Sequence, residues 1–139
     1  MVSDFDQLRV EHAEILAIAS AIGHMLNHPI HEKAVELQAL VAELVRVSVS
    51  HVMLENRYLY YEMLLSPHDQ TREMAQQHIT SFGNLASGLG EFAHQWQTPN
   101  HILAAAEKFC ADTRSILHAL TQRIHWEEQM FYSEMKGTH

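Results

Sequence analysis

The chain has 139 residues, 47% of them hydrophobic and 19% charged, which suits one globular domain with enough apolar material for its own core. Its formal charge of −8 argues against a nucleic-acid or anionic-membrane partner, since either needs a basic face. The one cysteine, Cys110, excludes an internal disulfide and fits a reducing, cytoplasmic setting.

The chain opens Val2-Ser3-Asp4-Phe5-Asp6, with no basic region and no apolar run, so no signal peptide is expected. The apolar stretch from Ile15 to Leu26 is broken by Ser20, Gly23 and His24 and is too short to span a bilayer. Pro29, Pro67 and Pro99 each sit in a polar break, and proline ends helices. These breaks predict four helical segments, over 4–27, 31–65, 70–97 and 100–136. Ser3 with Asp6 resembles a capping box at the first start, and Gly137 suits the last stop.

Each segment repeats with helical rather than alternating periodicity. The first puts Phe5, Leu8, His12, Ile15, Ala19, Ile22 and Leu26 on one stripe. The second gives Leu37, Leu40, Val41, Leu44, Ser48, His51, Glu55, Tyr58 and Leu59. The third gives Met74, His78, Phe82, Leu85, Leu89, Phe92 and Trp96. The fourth gives Phe109, Thr113, Ile116, Leu117, Leu120, Ile124, Glu127, Met130 and Phe131. Four amphipathic helices with short links predict an all-α fold, an antiparallel up-down four-helix bundle forming one domain over 1–139.

Ionisable residues interrupt those stripes at His12, His51, Glu55, His78 and Glu127. The histidines alone carry little weight. An apolar stripe takes about a third of a helix, so roughly four of twelve randomly placed histidines would fall on one. A histidine on a core face is more often a hydrogen-bonded core residue than a ligand. The carboxylates carry more, because an unpartnered buried charge costs several kcal/mol. Glu55 and Glu127 point inward from different helices, and His12, His51 and His78 come from three. Every helix then brings a ligand-type group to the core, a recurring way to hold two metal ions. His51 and Glu55, four apart, share one helix face. Ser48, a turn earlier, is placed to support His51 by a hydrogen bond.

These segments resemble the hemerythrin-like (HHE cation-binding) family. The resemblance rests on Leu8-Arg9-Val10-Glu11-His12, on His51-Val52-Met53-Leu54-Glu55 with Asn56-Arg57-Tyr58-Leu59-Tyr60, on His78, and on Arg123-Ile124-His125-Trp126-Glu127-Glu128 with Gln129-Met130-Phe131-Tyr132. It covers nearly the whole chain, in order. It implies a non-haem iron centre of two iron ions joined by an oxo or hydroxo bridge, held by His12, His51, Glu55, His78 and Glu127. It also implies a small-molecule ligand, oxygen or nitric oxide. One departure stands out: Arg123 occupies the position of the family's last-helix histidine. His125 is rotated about 200° from it and should face outward with His118, Gln122 and Gln129. Arg123 is instead placed for an i,i+4 pair with Glu127, putting a permanent positive charge beside the metal positions and leaving room for two ions, one or none. Glu128 or a shifted helix would be the alternative source of a ligand.

Three functions follow. The first is an iron protein that binds oxygen or nitric oxide as a carrier, buffer or stress-response protein, as monomer or homodimer. The second is a di-iron enzyme removing peroxide or nitric oxide. The third is a metal-free bundle acting in protein interaction. Met53, Met74 and Met130 read as gap-filling core. The tyrosines Tyr58, Tyr60 and Tyr61 read as packing, with Tyr58 placed to line the site. Trp126 reads as lying flat on its own helix or covering a partner surface.

Overall fold

The computed structural model describes residues 4–137, with side chains described for 6–57 and 59–130. Its helices are α1 (Asp4–Met25), α2 (Ile30–Leu54), α3 (Tyr61–Leu64), α4 (Asp69–Phe82), α5 (Leu85–Gln95), α6 (Pro99–Ala104) and α7 (Ala106–Gly137). A π-helical segment, Glu55–Tyr60, joins α2 to α3. Among the described residues there is no strand, and the fold is an all-α helical bundle. Contacts close a ring from α1 to α2 to α5 to α7 and back to α1. The α6 turn sits between α2 and α7, and α3 packs on α4.

The stripes are what the bundle buries. Ile15, Ile22, Leu37, Leu44, Leu89, Ile102, Phe109 and Leu120 belong to one large apolar cluster and are almost fully buried. Each such side chain contributes about 1.5–3 kcal/mol on leaving water. The Trp96 ring meets Phe109 edge-on, with centroids 5.2 Å apart. A smaller cluster gathers Tyr60, Met63, Ala75 and Met130, with Trp126 packed against it. Along α2 and α7 a polar layer separates the two clusters: Val52 and Ile124 face the first, Tyr60 and Met130 the second.

Pro29 and Pro99 act as expected. Each stands at the start of a helix, and Thr98 caps α6 by accepting a hydrogen bond from the His101 N–H at 3.3 Å. Three predicted segments are less regular than their periodicity implied. The third breaks at Gly83-Asn84. A Cβ at Gly83 would run into the carbonyl of Ile79, which already accepts the Gly83 N–H at 2.8 Å. The fourth breaks at Ala105, whose φ of −146° and ψ of 57° leave the helical region and set the short α6 apart from α7. The second passes into the π turn, whose i→i+5 spacing admits about one extra residue and shifts the inward face. Tyr60 is therefore buried while Leu59 is only half-buried.

Met53 is exposed rather than core, whereas Met74 is half-buried and Met130 buried. Among the described residues, the helical run Ile30–Leu64 is long and apolar enough to cross a membrane by length and composition alone. That run also carries the buried core face Leu37, Val41, Leu44 and Val52. The Ser3 capping box and the side chains of Phe5, Tyr58 and Phe131 lie outside what is described.

Candidate metal centre

His12 lies one turn before Ile15 on α1. His51 lies in the last turn of α2, and Glu55 begins the π segment one turn on. His78 is on α4, and Arg123 and Glu127 are one turn apart on α7. All six are at most 2% exposed. Periodicity alone places five of them, because each replaces an apolar residue on a stripe that the core must cover.

On one side of this layer four ligand-type groups converge. His12 Nε2 is 3.0 Å from Glu127 Oε1 and 3.4 Å from Glu55 Oε2. His51 Nε2 is 3.0 Å from Glu55 Oε2. One donor atom from each of His12, His51, Glu55 and Glu127 lies within 4.8 Å of all the others. Both imidazoles are held from behind. Nδ1 of His12 is 2.8 Å from Glu128 Oε2, and Nδ1 of His51 is 2.5 Å from Glu11 Oε1. A carboxylate on Nδ1 fixes the ring and aims Nε2 at the centre, as outer carboxylates do for metal-bound histidines.

On the other side stands Arg123. Its Nε donates to Glu127 Oε2 at 3.1 Å, and its Nη2 donates to Glu55 Oε1 at 3.0 Å and to Asn56 Oδ1 at 3.2 Å. Tyr60 donates its hydroxyl to Glu127 Oε2 at 2.6 Å. His78 lies under the Tyr60 ring, with centroids 4.0 Å apart and planes 14° from parallel. Its Nε2 is 3.0 Å from Glu127 Oε2 without the alignment of a hydrogen bond, and its Nδ1 has no partner. Each carboxylate thus turns one oxygen toward the two backed histidines and the other toward the guanidinium.

The electrostatics follow from this packing. Burial alone would push His12 down. The carboxylates of Glu127, Glu55 and Glu128 around it outweigh that and raise it from 6.5 to about 10. His51 is raised in the same way, burial being overcome first by Glu55 and then by Glu11. Burial would raise Glu127, but His12, His78 and Arg123 hold it well below the usual carboxylate range. His78 is lowered, chiefly by burial, with Arg123 adding to the effect. Burial and the neighbouring Glu127 and Glu55 charges push the Tyr60 hydroxyl up, so it stays a donor.

The donor set fits a cation. His51 Nε2 and Glu55 Oε2 are buried and lie 3.0 Å apart, yet neither makes an aligned hydrogen bond. Buried polar atoms left so need a partner, and imidazole nitrogen with carboxylate oxygen suits iron, zinc or manganese.

The structure brings His12, His51, Glu55 and Glu127 into one donor group and leaves His78 beside it, on the Arg123 side. The predicted Arg123–Glu127 pair is present. Glu128 braces His12 from behind rather than entering the donor group. Ser48 does not support His51: its Oγ is buried without a partner, and Glu11 takes that role. Trp126 does not lie flat on its own helix; it is half-buried, with its ring 4.9 Å from His78. Tyr60 is more than packing, since its hydroxyl reaches the site. His118, His125, Gln122 and Gln129 face outward as the helix geometry requires.

A model of the family described as the hemerythrin HHE cation binding domain matches residues 3–135. No curated protein and no solved structure matches the chain.

Proposed function

The chain belongs to the hemerythrin HHE cation-binding family, and on that premise we propose that it holds iron in the bundle core and binds a small diatomic ligand. The observation that carries this reading is the convergence of His12, His51, Glu55 and Glu127 within 4.8 Å, with both imidazoles oriented by carboxylates behind them. When present, the iron supplies affinity for oxygen or nitric oxide. The protein's own residues do the rest. His12 and His51 present Nε2, Glu55 and Glu127 supply negative charge, and the two apolar clusters exclude water from the layer between them. A carrier, buffer or stress-response role in a reducing cytoplasm follows, consistent with the single cysteine.

A second reading has one observation in its favour: Arg123 already bonds both carboxylates, as a metal-free bundle would require. Metal analysis of untagged protein expressed in iron-supplied medium separates the two. Stoichiometric iron, with an absorption spectrum that changes reversibly under oxygen or nitric oxide, supports the iron-binding reading. No stoichiometric metal after anaerobic iron loading sinks it in favour of the metal-free bundle.

A further inference from the structure

We propose that the Arg123 guanidinium holds the place of a second cation, so that this centre takes one metal ion and not two. The inference rests on the cation-binding reading above. It begins with how the carboxylates are divided. Glu55 Oε2 and Glu127 Oε1 face His12 and His51, while Glu55 Oε1 and Glu127 Oε2 face the guanidinium at 3.0 and 3.1 Å. A pair of carboxylates spanning two cations would be divided the same way. Here one of those cations is covalently part of the chain.

The support behind the two sides is unequal in the same sense. His12 and His51 each have a carboxylate on Nδ1, whereas Nδ1 of His78 has no partner. Metal-binding histidines almost always give their second nitrogen to such a partner. By that criterion His78 is packing beneath Tyr60 rather than a ligand. Charge agrees. Arg123 is a permanent positive charge held against both buried carboxylates, and a second divalent ion on that side would meet it in a layer nearly closed to water. Space agrees too. A second ion would need the Glu55 Oε1 and Glu127 Oε2 atoms at about 2.0–2.2 Å, and the guanidinium already lies against both.

The test is Co(II) binding to chelator-treated protein, counted by elemental analysis after desalting and followed by the visible spectrum. Expected is one Co(II) per chain in the wild type, one in His78→Ala, and two in Arg123→His, which returns a neutral imidazole to the second side. Two Co(II) per chain in the wild type would overturn the inference while leaving cation binding intact. So would Arg123→His remaining at one while folded by circular dichroism. Loss of the ion in His78→Ala would overturn it as well, and that variant remains decisive even if Arg123→His does not fold. No Co(II) or iron in the wild type would instead overturn cation binding itself.

Discussion

Arg123→Met in the metal-free protein removes the guanidinium that faces both buried carboxylates and leaves Glu55 and Glu127 with the histidines alone. The guanidinium makes hydrogen bonds of 3.1 Å to Glu127 and 3.0 Å to Glu55 from a side chain 1% exposed. A hydrogen bond to a charged group contributes about 1.5–3 kcal/mol, and removing one partner of a buried ion pair costs about 3–5 kcal/mol. The variant should therefore lose about 3–5 kcal/mol of unfolding free energy. For a chain of this size that lowers the thermal midpoint by roughly 10–20 °C. Urea and thermal unfolding of chelator-treated protein, followed by circular dichroism, would measure it. Combining Arg123→Met with Glu55→Gln and Glu127→Gln should recover most of the loss, because replacing a whole buried ionic group is often close to neutral. Saturating metal should recover part of it in the single variant, since a cation at a hundred times its dissociation constant adds about 2.7 kcal/mol. A loss under about 1 kcal/mol, typical of a solvated ion pair, would refute the assignment of Arg123 as the buried counter-ion.

Other substitutions probe the donor side. Glu55→Ala should lower metal content sharply, whereas His118→Ala and His125→Ala, both outward-facing, should leave it nearly unchanged. Metal loss in His125→Ala would mean that α7 presents a different face. Glu11→Gln weakens the bracing of His51 and should reduce metal affinity about 10- to 100-fold, read by competition with a chromophoric chelator. An unchanged affinity would deny Glu11 that role. The pH dependence has a definite sign. His12 is raised from 6.5 to about 10 by its carboxylate partners despite burial, so at neutral pH an incoming metal must displace its proton. Affinity should rise with pH up to about 10, with proton release detectable by calorimetry in buffers of different ionisation enthalpy. In the metal-free protein the same shift contributes stability that is complete below pH 6.5 and lost as pH climbs through about 10. Metal binding without proton release would contradict both statements.

Much of this centre is legible in the sequence, because a buried charged residue on an apolar stripe breaks a strong pattern. His12, His51, Glu55, His78 and Glu127 are visible for that reason, and all five are buried. Arg123 is visible as an i,i+4 partner of Glu127, but its reach across to Glu55 is a tertiary fact. The bracing roles of Glu11 and Glu128 are not visible. Each is the immediate neighbour of an inward-facing residue, turned about 100° from it, where carboxylates are ordinarily solvated. The breaks at Gly83 and Ala105 are hidden for a different reason. Apolar spacing continues across both, and periodicity does not register a change of axis that preserves the inward face. Tyr60 is hidden because the π turn resets the count between Glu55 and the residues beyond it.

That π turn separates two duties along one continuous helix. Upstream, the four-residue step from His51 to Glu55 follows α-helical geometry and faces the donor side. Downstream, Tyr60 and Met63 follow a phase offset by the inserted residue and face the Arg123 side and the smaller apolar cluster. Two neighbouring chemistries thus share a stretch of backbone without sharing its angular registration. The aromatic floor of the centre can then change its residues, or its depth, without rotating the imidazole and carboxylate that precede it.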